Sequence, residues 1–140
     1  MPNILIREYC NDTDKISVIT LWRSVFGYYD GYNDPETSIN KKLNADDHLF
    51  FVATMNEEIV GTVMAGYDGH RGWIYSLAVD PDSQKRGIGR QLVDKAESAL
   101  KALGCPKLNL QILDTNNKVI GFYEKLGFKI EPRISMGKVL

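Results

Sequence analysis

The chain has 140 residues and a formal net charge of −1, from 17 basic and 18 acidic side chains. Hydrophobic residues make up 44% and charged residues 25%, the balance of a water-soluble protein with one core. The near-neutral charge argues against a nucleic-acid partner, no apolar run reaches the roughly 20 residues of a membrane span, and the N-terminus lacks a signal-peptide layout. We therefore expect a single domain over residues 1–140, in the cytoplasm.

The N-terminal half predicts a strand, two helices and a hairpin. Asp34 followed by Pro35 is typical of a helix start, with a capping carboxylate and then proline at the first helical position. Asn56-Glu57 separates two apolar runs and predicts a tight turn between antiparallel strands. The predicted elements are a strand over residues 3–8, a helix from about residue 12 to Gly27, a helix from residue 34 to about Asn44, and strands over residues 49–55 and 58–67.

The C-terminal half predicts four strands and two helices. Apolar residues recur at the spacing of one buried stripe between residues 87 and 103, and Gly104 is a typical C-terminal glycine. The further predicted elements are strands over residues 74–79 and 107–113, a helix over 117–126 followed by Gly127, and final strands over 128–130 and 134–139. This order, β-α-α-β-β-β-α-β-α-β-β, predicts helices packed on a mixed sheet.

Residues 79–90 carry the clearest chemical signal, because a strand, a short loop and a long helix meet there. The first turn of a helix has backbone N–H groups without intrahelical partners and the positive end of the helix dipole. Gly87 and Gly89 lack a Cβ and let an anion approach the main chain, while Lys85, Arg86 and Arg90 add positive charge. This pattern predicts a phosphate or pyrophosphate site; the alternative is a glycine turn on a solvated basic helix end. It lacks the lysine-serine/threonine pair of a P-loop and the third glycine of a dinucleotide motif.

Two segments resemble the signatures of the GCN5-related N-acetyltransferase (GNAT) superfamily. Residues 84–89 resemble its pattern Arg/Gln-x-x-Gly-x-Gly/Ala, and residues 77–81 resemble the strand that precedes it. Residues 116–128 resemble its second signature, an Asn followed by Phe/Leu-Tyr-Glu-x-x-Gly-Phe. Residues 66–72 and 104–107 further resemble YpeA-type small bacterial acetyltransferases. The resemblance implies an α/β (α+β) fold with a mixed, mostly antiparallel sheet of 6–7 strands, splayed strands four and five, and four flanking helices.

The resemblance also implies acetyl-CoA as cosubstrate and assigns residues to it. Asn116 corresponds to an asparagine that contacts the cofactor arm, although it fits a helix cap equally well. Tyr123 corresponds to the tyrosine near the thioester sulfur, where a phenol can protonate the departing thiolate as general acid. The pantetheine arm would meet the backbone of Leu77, Ala78 and Val79, and the pyrophosphate would meet Gln84, Lys85, Arg86, Gly87, Ile88, Gly89 and Arg90.

The general base and the acceptor are less well defined. Ribosomal-protein acetyltransferases of this superfamily place a glutamate where this chain has Gln111, and glutamine cannot act as a base. The remaining candidates are Asp68, His70 or a water chain. An exposed loop histidine and a turn-forming aspartate are, however, the more common interpretations of these two residues. The acceptor should be governed by residues 22–33 and 67–73, whose aromatic side chains could line a pocket or belong to the core. These aromatic residues are Trp22, Phe26, Tyr28, Tyr29 and Tyr32.

The sequence therefore predicts an N-acetyltransferase that transfers an acetyl group directly to a small amine, a peptide α-amine or a lysine. The alternatives are an acetyl-CoA-sensing module without turnover, supported by Gln111, and a nucleotide-binding protein that uses the same glycine turn. No metal site is predicted, because Cys10, Cys105, His48 and His70 lie far apart in sequence and no CxxC pair occurs. A homodimer is left open.

Overall fold

The computed structural model describes residues 3–140, which divide into two compact units. The first unit ends at Leu110 and holds all the strands and three α-helices; the second, Gln111–Leu140, holds the last helix. The elements are β1 (Ile4–Glu8), α1 (Asn11–Phe26), α2 (Pro35–Ala45), β2 (Phe50–Met55), β3 (Glu58–Tyr67), β4 (Gly72–Val79), α3 (Ile88–Ala102), β5 (Leu108–Asn109) and α4 (Asn117–Lys125). None of the helices in the described part of the chain has the length and apolar character to cross a membrane.

The sheet follows chain order, β1-β2-β3-β4-β5. Strands β1 to β4 pair antiparallel with one another, and β5 runs parallel to β4. The β2–β3 hairpin is confirmed: Asn56 and Glu57 have φ values of 53° and 68°, as a two-residue hairpin turn requires. The pairing of β4 with β5 covers only Gly72 with Leu108 and Trp73 with Asn109. Beyond Trp73, the outer edge of β4 therefore has no strand beside it among residues 3–140.

The fold class is confirmed, but the predicted number of strands is wrong. The described residues form five strands rather than six to seven, and the strand expected over residues 107–113 is reduced to Leu108–Asn109. Residues 128–130 and 134–139 form no strand. The side chains of Ile130, Ile134 and Met136 are 75–91% exposed, so their apolar pattern is not matched by burial. Alternating apolar residues form a strand only where a neighbouring strand accepts their backbone hydrogen bonds.

The helices of the first unit cover both faces of the sheet. Val18 and Trp22 of α1, Ile39 of α2, and Phe50 and Val52 of β2 belong to one buried cluster. Because side chains alternate along a strand, Phe51 points to the opposite face, where Lys95 of α3 lies over its ring at 5.5 Å. The stripe predicted for α3 is buried there, through Ile88, Leu92, Val93, Ala96 and Leu100.

Two strand glycines allow α3 to lie close to the sheet. A Cβ on Gly61 would meet Leu92 Cδ1 at 2.9 Å and both Ile88 Cγ2 and the Ala78 carbonyl oxygen at 3.1 Å. A Cβ on Gly72 would meet Cys105 Sγ at 2.8 Å. These distances are shorter than side-chain contacts normally are, so a larger residue at either position would push the helix outward. Gly61 thereby sets where the N-terminal turn of α3 lies relative to the end of β4.

The junction of β1 and α1 is fixed by a buried carboxylate. Asp14 accepts hydrogen bonds from Arg7 Nη1 at 2.7 Å, Arg7 Nη2 at 2.9 Å and the Cys10 backbone N–H at 2.8 Å. Burial opposes the charge on Asp14, but these donors outweigh it and hold the pKa of the carboxyl below its usual value. The charged form of Asp14 therefore stabilises the fold.

Candidate functional site

The loop between β4 and α3 presents backbone N–H groups, as the sequence predicts. Gly87 is the N-cap of α3 in the left-handed conformation (φ 77°), and Lys85 is also left-handed (φ 67°). The loop is tied to the sheet because the Asp80 N–H donates to the Val60 carbonyl at 2.8 Å. Since α3 is 15 residues long, the positive end of its dipole and its unpaired first-turn N–H groups meet at this loop. The main chain here is suited to bind an anion.

Charge and access at this loop also fit a phosphate group. Lys85, Arg86 and Arg90 are exposed, and none of them forms a salt bridge within residues 3–140. A Cβ added to Gly87 would meet no atom within 4 Å, so the space above its backbone is open. Three uncompensated cations beside open main-chain donors favour a ligand with more than one negative charge, such as a diphosphate.

Strand β4 carries a bulge next to this loop, which the sequence does not predict. Thr62 of β3 pairs with Ala78 and Met64 pairs with Tyr75, so Ser76 and Leu77 together face one residue of β3. Ser76 has a φ of 53°, unusual for a residue other than glycine. Thr62 Oγ1 donates to the Ser76 carbonyl at 2.9 Å and accepts from Trp22 Nε1 at 2.8 Å. This buried chain of hydrogen bonds holds the bulge and redirects the backbone of Leu77, Ala78 and Val79.

The remaining predicted cofactor residues, Asn116 and Tyr123, lie in the second unit. Asn116 is the N-cap of α4 and its side chain accepts from the Val119 N–H at 3.3 Å, so the capping interpretation is confirmed. Tyr123 is buried, with edge-to-face contacts to Phe122 at 5.0 Å and Phe128 at 5.4 Å between ring centroids. Burial raises the pKa of the Tyr123 phenol to about 12, so it stays protonated at neutral pH.

The two candidate bases lie in the turn between β3 and β4. The Asp68 carboxylate accepts from the Arg71 N–H at 2.7 Å and the His70 N–H at 2.8 Å, and these bonds lower the pKa of Asp68. A carboxylate with a lowered pKa is a weaker base, and its contacts are those of a turn former. His70 is exposed. In the second unit, the Gln111 side-chain amide donates to Ser135 Oγ.

A cleft of about 550 Å³ lies between α2 and strands β3 and β4, within the first unit. Among the five aromatic residues that the sequence suggested for an acceptor pocket, Tyr32 lines this cleft. Trp22 is in the core instead, and Tyr28 is 82% exposed elsewhere on the surface. Trp73 and Tyr75 of β4 contribute the neighbouring walls, and the cleft also reaches the bulge at Ser76.

Comparison with known proteins identifies the family to which this arrangement belongs. The model of the acetyltransferase (GNAT) family matches residues 16–128. An acetyltransferase of Pectobacterium atrosepticum is 49% identical over 135 residues, which cover 96% of this chain and 94% of that protein. The chain belongs to the GNAT acetyltransferase family. The resemblance seen in the two sequence signatures is therefore confirmed.

Solved structures share the fold of this GNAT protein. The PaiA N-acetyltransferase of Thermoplasma acidophilum in complex with coenzyme A has a TM-score of 0.80 at 21% identity, covering 94% of this chain and 93% of that one. The aminoglycoside acetyltransferase AAC(6')-Iy in complex with a bisubstrate analogue has a TM-score of 0.81 at 17% identity, covering 99% of both chains. At such low identity the likeness concerns the fold, and the site residues have to be argued from this chain.

Proposed function

We propose that this GNAT protein binds acetyl-CoA at the junction of β4 and α3 and transfers the acetyl group directly to a primary amine. The observation that carries the proposal is the N-terminal turn of α3, where Gly87 is open to solvent and three exposed cations form no salt bridge within residues 3–140. This turn would bind the diphosphate through its backbone N–H groups, with Lys85, Arg86 and Arg90 balancing the charge.

The proposed site of the pantetheine arm is the outer edge of β4, and the argument for it is independent of the α3 turn. Over residues 74–79 this edge has no strand beside it in the described part of the chain, so its N–H and C=O groups can bond an extended ligand as an added strand would. The bulge at Ser76 turns the backbone of Leu77, Ala78 and Val79 at this point. The amide groups of pantetheine are suitable partners for such a backbone edge.

The chemistry is acyl transfer from a thioester to an amine. The neutral amine attacks the carbonyl carbon, the new C–N bond forms, the C–S bond breaks, and coenzyme A leaves as a thiolate that takes up a proton. Acetyl-CoA supplies the activated acetyl group. The amine loses its proton to solvent. The protein then needs only to orient the amine and to stabilise the departing sulfur.

The role of Tyr123 follows from its match to the second family signature and from the chemistry of its phenol. A thiol has a pKa of about 8.5, so complete proton transfer from a phenol with a pKa of about 12 would be uphill by roughly 5 kcal/mol. We therefore propose that Tyr123 assists chiefly by donating a hydrogen bond to the sulfur as its charge develops. The proton itself can then reach the thiolate from water or from the acceptor ammonium.

No dedicated base is needed in this proposal. Asp68 is held by two backbone N–H groups and its pKa is lowered, which favours its role in the turn over proton abstraction. A peptide α-amine, with a pKa of about 7.7 to 8.0, can lose its proton to water more readily than a lysine, with a pKa of about 10.4. Small amines, peptide α-amines and lysines all remain candidate acceptors at this stage.

The first experiment is a calorimetric titration with acetyl-CoA, ATP and NAD. We expect micromolar affinity for acetyl-CoA and much weaker binding of both nucleotides. Gly89→Val should weaken acetyl-CoA binding about tenfold, because a branched side chain blocks approach to the main chain. Ala102→Val, an exposed position at the other end of α3, is the matched control. Equal affinity for ATP, or an unchanged Gly89→Val dissociation constant in a folded protein, contradicts the proposal.

The second experiment follows coenzyme A release with an amine acceptor. Tyr123→Phe should lower turnover about 10- to 100-fold with little change in acetyl-CoA affinity, because the missing hydroxyl matters only as the sulfur becomes charged. Tyr28→Phe, at an exposed tyrosine, should keep full turnover. Unchanged turnover in Tyr123→Phe removes Tyr123 from the mechanism. Binding of acetyl-CoA without turnover on any amine would instead favour the sensing module suggested by Gln111.

A further inference from the structure

We infer that the cleft between α2 and strands β3 and β4 binds the acceptor, and that this acceptor is a small monoamine with an apolar or aromatic body. The inference rests on the proposed acetyl transfer and narrows its acceptor class. It excludes polyamines and lysine-rich peptides as preferred acceptors.

The position of the cleft suits an acceptor. It lies entirely within the first unit, and its volume of about 550 Å³ is in the usual range for small-molecule sites. Tyr75 and Ser76 line it, and Ser76 is the bulged residue directly before the backbone proposed to hold the pantetheine arm. An amine bound in the cleft would therefore reach β4 where the acetyl group is expected.

Four aromatic side chains contribute to the walls of the cleft. Tyr32, Tyr67, Trp73 and Tyr75 line it together with Met64. Tyr75 is 42% exposed and Tyr32 61% exposed, so ring surface is available to a ligand. Aromatic faces pack against flat apolar groups and attract a single ammonium group. Once the amine is bound, its removal from water favours the neutral form, which is the form that attacks a thioester.

Lys42 and both carboxylates of the cleft already have partners within the protein. Lys42 is buried and donates to Asp47 Oδ2 at 2.7 Å and to the Ala65 carbonyl, and its Nζ lies 5.4 Å from the Tyr75 ring centroid. Asp47 also accepts from the Leu49 N–H at 3.2 Å. The pKa of Asp68 is lowered by the turn N–H groups and by a hydrogen bond from the Trp73 side chain. Both carboxylates therefore have partners within the protein.

This charge arrangement selects against polycations. Lys41 and Lys42 balance Asp47 and Asp68, so the four charged residues that line the cleft have no net charge. A second or third ammonium group on the acceptor would find no uncommitted carboxylate among these residues and would face two lysines. A monoamine needs only the aromatic walls and one short approach to β4.

The experiment compares three acceptors by coenzyme A release: 2-phenylethylamine, spermidine, and a short lysine-rich peptide with a blocked N-terminus. We expect kcat/KM for 2-phenylethylamine to exceed that of the other two at least tenfold. Trp73→Ala should raise KM for 2-phenylethylamine about tenfold while acetyl-CoA affinity stays unchanged. Tyr28→Ala is the control, since it truncates an exposed aromatic residue that does not line the cleft.

The charge argument has its own test. Lys41→Glu should raise kcat/KM for spermidine several-fold, because it gives the cleft an uncommitted carboxylate. Lys101→Glu, in the last turn of α3, makes the same change of net charge away from the cleft and should leave spermidine turnover unchanged. An equal response of the two variants contradicts the charge argument.

Binding measured without turnover separates this inference from the proposed function. In the presence of coenzyme A, 2-phenylethylamine should change the fluorescence of Trp73, and Trp73→Phe should abolish that change while Trp22 still emits. If this signal appears but no amine is acetylated, the acetyl-transfer proposal fails and the binding assignment stands. If amines are acetylated but spermidine is preferred, and Trp73→Ala leaves KM for 2-phenylethylamine unchanged, the inference fails and acetyl transfer stands. If there is neither signal nor turnover, the inference is overturned.

Discussion

Replacing Gly61 by alanine tests whether close contact between β3 and α3 sets the position of the proposed anion-binding turn. The added Cβ would lie 2.9 Å from Leu92 Cδ1 and 3.1 Å from both Ile88 Cγ2 and the Ala78 carbonyl oxygen. Ordinary contacts begin near 3.4 Å, so the neighbouring atoms of α3 and β4 must move away from β3 by about 0.3 to 0.5 Å. The Leu92 side chain is fully buried and cannot move into solvent.

The expected cost follows from this overlap. Overpacking of a core lowers the free energy of unfolding by about 1–3 kcal/mol. Alanine also reduces the entropy of the unfolded chain, which raises the free energy of unfolding by about 0.4–1 kcal/mol, so the net loss is about 1–2 kcal/mol. For a chain of this size, that loss lowers Tm by about 3–8 °C. Affinity for acetyl-CoA should also fall about three- to tenfold, since the first turn of α3 moves away from the end of β4.

Thermal unfolding by circular dichroism and calorimetric titration measure the two effects. Gly66→Ala is the matched control: it lies on the same strand, and its Cβ would meet only Tyr75 atoms at 3.9 Å. We expect its Tm to stay within about 1 °C of wild type. If Gly61→Ala and Gly66→Ala unfold at the same temperature and bind acetyl-CoA equally well, close contact at Gly61 does not position α3.

Two further variants test the supports of the fold and the site. Asp14→Asn should lower the free energy of unfolding by about 2 kcal/mol at pH 7. Because the folded-state pKa of Asp14 is lowered, the difference from wild type should shrink as pH falls below about 4. Denaturant titrations that give the same difference at every pH would contradict this. Thr62→Val leaves the Trp22 N–H and the Ser76 carbonyl without their partner and should cost about 1–3 kcal/mol. Thr20→Val, which removes an exposed hydroxyl, should cost under about 0.5 kcal/mol; similar losses in both threonine variants would mean that the hydrogen-bond chain does not support the bulge.

The sequence by itself determined the elements whose signals are local. Asp34 caps α2 through the Thr37 N–H at 3.1 Å, and Gly104 closes α3 with a φ of 83°, both as predicted. The apolar stripe of α3 is buried, and Asn56 with Glu57 forms the hairpin turn. Caps, glycines and residue spacing act within a few positions along the chain, so a single sequence contains them in full. The left-handed N-cap at Gly87, where we propose that an anion binds, was predictable for the same reason.

Only the tertiary structure decided the features that depend on partners distant in sequence. The bulge at Ser76 is held by Trp22 and Thr62, which lie 54 and 14 positions earlier in the chain. Whether an apolar run becomes a strand depends on which backbone lies beside it, and β5 pairs with β4 over only two residues. The cleft walls come from α2, β3 and β4 together, and the contact at Gly61 exists only once α3 lies on the sheet. Such features arise from packing between elements, and no local pattern of residues encodes them.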